Sequence, residues 1–221
     1  MIARPLIATH VDFTHLTKQS MTLQFNTLSL VVAAFASAFP LLAHAEHRSV
    51  DARTLDVAGV KTGMDYEQAV SALMAHFKIS RKQIKPEPSP GVNLVTQTRL
   101  PQYVTYENNG VKIAVYFEPR VPVDKTRPQA VSLITYEVPW SSQNSAAMAD
   151  MASSKYGEQS NFPNKLPMQW CAEPHNNPGM GCPIDGALLE LSQVRLKLID
   201  PAWQNARIKF VQDSQARKPS F

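Results

Sequence analysis

Two cysteines are all that this 221-residue chain contains, and both lie late, at Cys171 and Cys182. None falls in the first 45 positions, which excludes acyl attachment at a leader cysteine. The two are not spaced as Cys-x-x-Cys, and no Cys-x-x-Cys-His occurs, so thiol–disulfide catalysis and covalent haem are excluded. Only eight glycines are present, with no Gly-rich phosphate loop and no Gly-x-Ser-x-Gly elbow to mark a hydrolase nucleophile. No dense basic stripe of the kind that tracks nucleic acid is visible. The basic residues are scattered apart from Arg120, Lys125 and Arg127 in one loop and Arg217 and Lys218 at the tail. Only one long apolar run occurs.

That run is Leu28 to Leu42, followed by Ala43-His44-Ala45. An uncharged apolar stretch closed by a small-x-small site has the form of a secretory signal peptide, with cleavage expected after Ala45. At about 15 residues it falls short of the roughly 20 that a membrane span needs, so no stable membrane anchor is expected. Met21 lies just upstream and is an alternative start to Met1. Removing Arg4 and Lys18 from 22 basic residues, and Asp12 from 18 acidic ones, leaves a mild balance of +3. The expected localisation is periplasmic or secreted. The exported part, 46–221, is long enough for one domain or two small halves sharing a core.

Glu46 to Leu55 reads as a polar flexible lead, and Val57 to Val60 as a short strand. The clearest helix follows. Asp65 is an N-cap with Gln68 three residues on, and Tyr66, Ala69, Val70, Leu73, Met74 and Phe77 form one apolar stripe. Asp65 and Glu67 read as helix N-terminal charge rather than as a catalytic pair. Pro86, Pro88 and Pro90 make Ser80 to Gln97 a loop. Tyr103 to Glu107, an Asn109-Gly110 turn, the alternating Val111 to Phe117, and Val131 to Val138 predict an antiparallel meander. The second half repeats the order more faintly. It has a helix at Ser145 to Tyr156 closed by Gly157, then strands at Leu166 to Ala172 and Ala187 to Leu191. Val194 to Ile199 either continues that strand past a bulge or forms another. Arg207 to Val211 reads as the last strand, and Asp213 to Phe221 as a frayed polar tail. The expected class is α+β. It comprises two helix-plus-antiparallel-meander halves, 46–140 and 141–221, with an internal duplication forming one continuous sheet.

The stretch Val60-Lys61-Thr62-Gly63-Met64-Asp65-Tyr66-Glu67-Gln68-Ala69-Val70 resembles the opening of SmpA/OmlA-type outer-membrane-assembly lipoproteins and the related β-lactamase-inhibitor-like fold. The likeness covers about a dozen residues by motif, and the exported part by element order. The chain departs from it in lacking a lipobox cysteine and in having Ser141-Ser142-Gln143-Asn144, without Gly-Met, before the second helix. The resemblance implies a binding role rather than catalysis. It does not carry over a partner, since fold does not fix function.

Cys171 and Cys182, alone in an exported domain, are expected to form a disulfide. The rival is a metal site of Cys171, His175 and Cys182 with Met180 and Glu173 nearby, a donor set that suits copper or zinc but matches no familiar zinc spacing. His47 lies at the new N-terminus, and His76 flanks the helix stripe. Trp140, Trp170 and Trp203 are expected to pack between the halves, and Met148, Met151, Met168 and Met180 to fill core. The leading expectation is a non-catalytic periplasmic binding or inhibitory protein without cofactor, acting on another envelope or secreted protein through a sheet face and loops. The candidate binding loops carry Arg120, Lys125 and Arg127 on one side and Glu173, His175 and Met180 on the other. The alternatives are a small secreted hydrolase, or a metal-binding envelope protein using the cysteine loop.

Overall fold

The expected capping pair builds the first helix, α1, over Tyr66–Phe77. The Asp65 carboxylate accepts the Gln68 N–H at 2.9 Å, and the Gln68 side chain accepts the Asp65 N–H at 3.0 Å, so two orphan donors are satisfied reciprocally. Ala69, Val70 and Leu73 are buried along its stripe. Lys78 ends the helix in the left-handed conformation, φ 54°. The computed structural model describes residues 48–163, 165–177 and 180–216. The expected leader and cleavage site, His47, and Arg217 with Lys218 lie outside the described residues.

Seven strands form one antiparallel sheet: β1 (Lys85–Pro86), β2 (Tyr103–Asn108), β3 (Val111–Pro119), β4 (Gln129–Glu137), β5 (Met168–Cys171), β6 (Leu188–Ser192) and β7 (Arg195–Ile199). Their order is β1-β2-β3-β4-β7-β6-β5, so β4 and β7 meet within the sheet, with Ile134 opposite Leu198 and Tyr136 opposite Leu196. With helices α2 (Ser142–Tyr156) and α3 (Pro201–Ala216), the class is α+β. The β2–β3 hairpin turns at Asn109-Gly110, both at positive φ (50° and 78°), as the primed two-residue turn requires. Gly110 has no room for a side chain, because a Cβ there would come within 2.6 Å of Pro139. The alternating pattern of β6 and β7 resolves into two strands joined through Gln193 (φ 54°), not one bulged strand.

Period-two alternation sends one set of side chains to the helix-covered face. Val104, Ile113, Val115, Ile134, Leu189, Leu191, Leu198 and Trp170 all lie there, nearly or fully buried against Leu73 of α1 and Met148, Ala152 and Tyr156 of α2. Each large apolar side chain fully buried in this way contributes roughly 1.5–3 kcal/mol. The opposite face is not covered by α1 or α2; α3 packs against β3 and β4 at its loop end, where Arg207 pairs with Glu118 on the Tyr116 side of β3.

Several expectations are corrected. Arg207 to Val211 is not a strand but the middle of α3. Asp200-Pro201 starts that helix, with a proline whose missing N–H costs nothing at the first position and an Asp200 carboxylate that accepts the Ala202 N–H at 3.2 Å. The helix runs through Ala216, so the tail expected from Asp213 begins later. Val57 to Val60 is not a strand but a tight turn: Ala58 (φ 52°) and Gly59 (φ 79°) let Val57 and Val60 exchange both backbone hydrogen bonds. Both valines are buried, and their turn packs on the helix side of the sheet. Lys85 and Pro86, expected to be loop, pair with β2 at the sheet edge, where proline needs no donor partner. The expected flexible lead is ordered from residue 48 on. Val50 N–H donates to Cys171 C=O at 2.9 Å, and Ala52, in the Ala52–Thr54 turn, is fully buried. Trp140 is 72% exposed, and Met151 and Met180 are 59% and 62% exposed, so these three are not core. Hydrophobic residues that end strands or rim a groove carry the same sequence signal as those that fill a core.

Candidate functional site

The face left free by α1 and α2 is built in rows, because each cross-strand pair lines up side chains of the same parity. One row alternates in charge across β2, β3, β4 and β7: Glu107, Lys112, Glu137, Arg195. Lys112 Nζ lies 3.6 Å from Glu107, and Arg195 donates to Glu137 at 2.8 Å. A second row runs Thr105, Ala114, Thr135, Lys197, Glu190, Gln169. The Gln169 amide donates to Glu190 at 2.9 Å, and Lys197 sits 3.8 Å from the same carboxylate. A third, apolar row carries Tyr103, Tyr116, Leu133, Ile199, Leu188 and Cys171. Tyr103 and Tyr116 meet at 6.0 Å between ring centroids, and Tyr116 is 39% exposed. The charges are matched in pairs within the face, and exposed pairs of this kind contribute little to stability, typically under about 1 kcal/mol each. Their consequence is a surface that is locally neutral and charge-patterned, with a shallow concavity of about 310 Å³ over Thr105, Ala114 and Thr135 and aromatic area beside it.

Both expected binding loops sit at the same end of the sheet, beyond the apolar row. They do not form one cluster, because β7 ends between them and launches α3. The first loop, between β3 and β4, is braced by Arg120. Its backbone N–H donates to Pro128 C=O at 2.9 Å, its guanidinium donates to Gly63 C=O at 2.7 Å, and the same group stacks 5.2 Å from the Trp203 ring of α3. Arg120 is thus a clamp joining the loop, the entry to α1 and α3, whereas Lys125 and Arg127 are exposed. Asp124 organises the tip. The Thr126 hydroxyl, then the Arg127 and Thr126 N–H groups, hold its carboxyl down to about 2. Arg207 of α3 donates to Glu118 at 2.6 Å and fixes the helix to β3.

The second loop is closed by the Cys171–Cys182 disulfide, as expected. Cys182 N–H donates to the Gln169 side chain at 2.9 Å, so the loop folds back onto the free face at β5. Glu173, His175 and Met180 are exposed on it. With the sulfurs joined to each other, neither is a thiolate ligand, and the metal alternative loses both of its thiolate donors. Among the described residues no group of three or more His, Cys, Asp or Glu is gathered as a metal site.

The free edge of β5 is not open to strand addition. Ser160 N–H donates to Gln169 C=O at 2.7 Å, and the Ser160 hydroxyl accepts the Cys171 N–H at 3.1 Å. With these hydrogen bonds made, that edge has fewer unpaired groups to offer an added strand.

On the covered side, α1 and α2 leave a groove of about 370 Å³ between them. Tyr136 and Leu196 of the two central strands form its floor, Met148, Met151 and Lys155 of α2 one wall, and His76 of α1 the opposite rim. Sequence reasoning did not find it, since its walls read as ordinary helix stripe. At its end Lys155 donates to the Asp56 carboxylate at 2.7 Å and to the Asp56 C=O at 3.1 Å, and Tyr156 donates to that same carbonyl at 2.8 Å. Burial raises the Asp56 carboxyl, but Lys155, the Gly59 N–H and Lys61 outweigh it and hold the group below the usual range. Burial, and then the Asp56 charge, push the Tyr156 hydroxyl well above its ordinary value. Among the described residues no hydrogen bond joins the side chain of His76 or His175 to a serine, and no helix is long and apolar enough to cross a membrane. No family model, no curated protein and no solved structure matches this chain, so the resemblance at Gly63-Met64 rests on its own residues.

Proposed function

We propose that this is an exported, non-catalytic binding or inhibitory protein that engages another envelope or secreted protein through the free face of its sheet, flanked by its two end loops. The observation that carries this reading is the free face itself. It crosses six strands, β2-β3-β4-β7-β6-β5, outside the end where α3 packs on β3 and β4, and presents Tyr116 with Tyr103 beside a ladder of neutralised charge. Aromatic area within a polar, charge-patterned surround is the composition that protein interfaces favour. The blocked edge at β5 and the proline-bearing edge at β1 turn recognition away from strand pairing and toward that face. The disulfide loop and the Arg120 clamp hold the flanks in one arrangement, which lowers the ordering cost of binding. The leader and the disulfide both support export into an oxidising compartment.

The test is affinity capture from envelope extract with two forms of the mature protein, wild type and Tyr116→Ser/Lys112→Glu. Both substitutions are on solvent-exposed positions. The expected result is one protein retained by the wild type and lost from the variant, whose melting transition stays within a few degrees of wild type. Equal recovery by both forms would remove the free face as the interface. Intact mass of the same preparation should begin at Glu46.

A further inference from the structure

The two helices are too few for the sheet they cover. Seven strands at about 4.8 Å spacing are roughly 29 Å across, whereas two helices each about 10–12 Å wide cover at most about 24 Å. The Val57–Val60 turn fills part of the shortfall, and the groove over Tyr136 and Leu196 is the remainder. At about 370 Å³ it lies at the small end of ligand sites. Met148 and Met151 give one wall a soft, adaptable surface.

The charged side chain that lines the groove is Lys155, whose ammonium lies 2.7 Å from the Asp56 carboxylate just outside the lining. Lys155 has three donors. Asp56 takes two of them, through its carbonyl and carboxylate oxygens, and the Lys155 side chain remains 46% exposed at the groove. The ammonium also lies 5.2 Å from the Tyr156 ring centroid, so a ligand oxygen there would share it with Asp56 and that ring, with His76 across the mouth. We propose that the α1–α2 groove binds a free medium-chain fatty acid, its chain along Met148 and Met151 above the Tyr136–Leu196 floor and its carboxylate at Lys155. This site is on the opposite side of the sheet from the face assigned to the partner protein, so the two readings stand or fall separately.

The probe is decanoate, whose twelve non-hydrogen atoms fit the space, titrated into the purified protein with ¹³C-labelled methionine methyls. Saturable shifts are expected at Met148 and Met151, with Met168 and Met180 unmoved. Decanol, which keeps the chain but not the charge, should bind about tenfold more weakly, because a charge-assisted hydrogen bond is lost. Met151→Asp changes an exposed groove residue and should weaken decanoate about tenfold or more while leaving the melt intact. His76→Glu, also on an exposed residue, should weaken it by like-charge repulsion and serves if the first variant does not fold. Absence of saturable binding at millimolar decanoate would overturn the assignment. So would equal shifts at Met148, Met151, Met168 and Met180, equal affinity for decanol, or unchanged affinity in the folded variants.

Discussion

Breaking the Cys171–Cys182 bond should cost the protein a definite part of its stability without unfolding it. The two cysteines are 11 residues apart in sequence. Loop-closure entropy for a ring of about 12 residues gives about 3 kcal/mol of stabilisation at 25 °C, gained by restricting the unfolded chain. For a domain of this size 1 kcal/mol moves the melting temperature by about 2–4 °C, so reduction should lower it by about 6–12 °C. The fold should survive, because the bonded pair packs in a small cluster with Leu188 and Ile199, apart from the main core around Leu73, Ile134 and Trp170. Losses beyond the entropic figure would come from Val50, whose N–H depends on the Cys171 carbonyl, and from Gln169, which accepts the Cys182 N–H. Calorimetry with and without reductant, and on Cys171→Ala/Cys182→Ala, measures the shift. Thiol counting under denaturing, non-reducing conditions shows whether the bond is there to break. Two titratable thiols in protein recovered from an oxidising compartment, or a shift under 2 °C on complete reduction, would refute the reasoning.

Leu73→Asp should prevent folding, because an unpaired carboxylate would enter a site with no solvent exposure. Leu73→Ala should cost about 2–5 kcal/mol in a urea titration, and a wild-type melt for either would show that the stripe of α1 faces solvent. Asp56 titrates below its unfolded value near 3.9, so the unfolded chain binds its proton first. Its stabilisation is present above about pH 4 and fades as pH falls through the folded value. Denaturant midpoints between pH 2 and 6 should therefore fall less steeply in Asp56→Asn than in wild type, and parallel curves would contradict this. Trp140 is 72% exposed and Trp170 fully buried. Acrylamide should accordingly quench a red-shifted component that Trp140→Phe removes, and unchanged quenching in that variant would place Trp140 in the interior.

What the sequence made legible was whatever local chemistry decides alone. The Asp65–Gln68 capping pair, the Asn109-Gly110 turn and the strict alternation of β3 fixed their elements within a few residues. Two cysteines without rivals left one pairing. What it hid depends on context. Arg207 to Val211 has strand-like residues, yet the preceding Asp200-Pro201 is a helix start whose reach outweighs a weak apolar pattern. Val57 and Val60 look like a strand but are the two ends of a turn, set by positive φ at Ala58 and Gly59. Arg120 was grouped with Lys125 and Arg127 by charge, although its role comes from Gly63 and Trp203, residues 57 positions upstream and well downstream. The free face was foreseen as a face, but its rows depend on strand register, and the groove depends on the distance between two helices. Neither quantity is written in any one segment.

The reading that matters most is recognition through the free face of the sheet, and site-specific photo-crosslinking in cells that make the protein tests it most directly. A photo-reactive amino acid would be placed in turn at Tyr116 on that face and at Ser71, an exposed position of α1 on the other side. The expected result is a discrete adduct with one other protein from position 116 and none from position 71. An adduct from position 71 alone, or the same adducts from both, would contradict it.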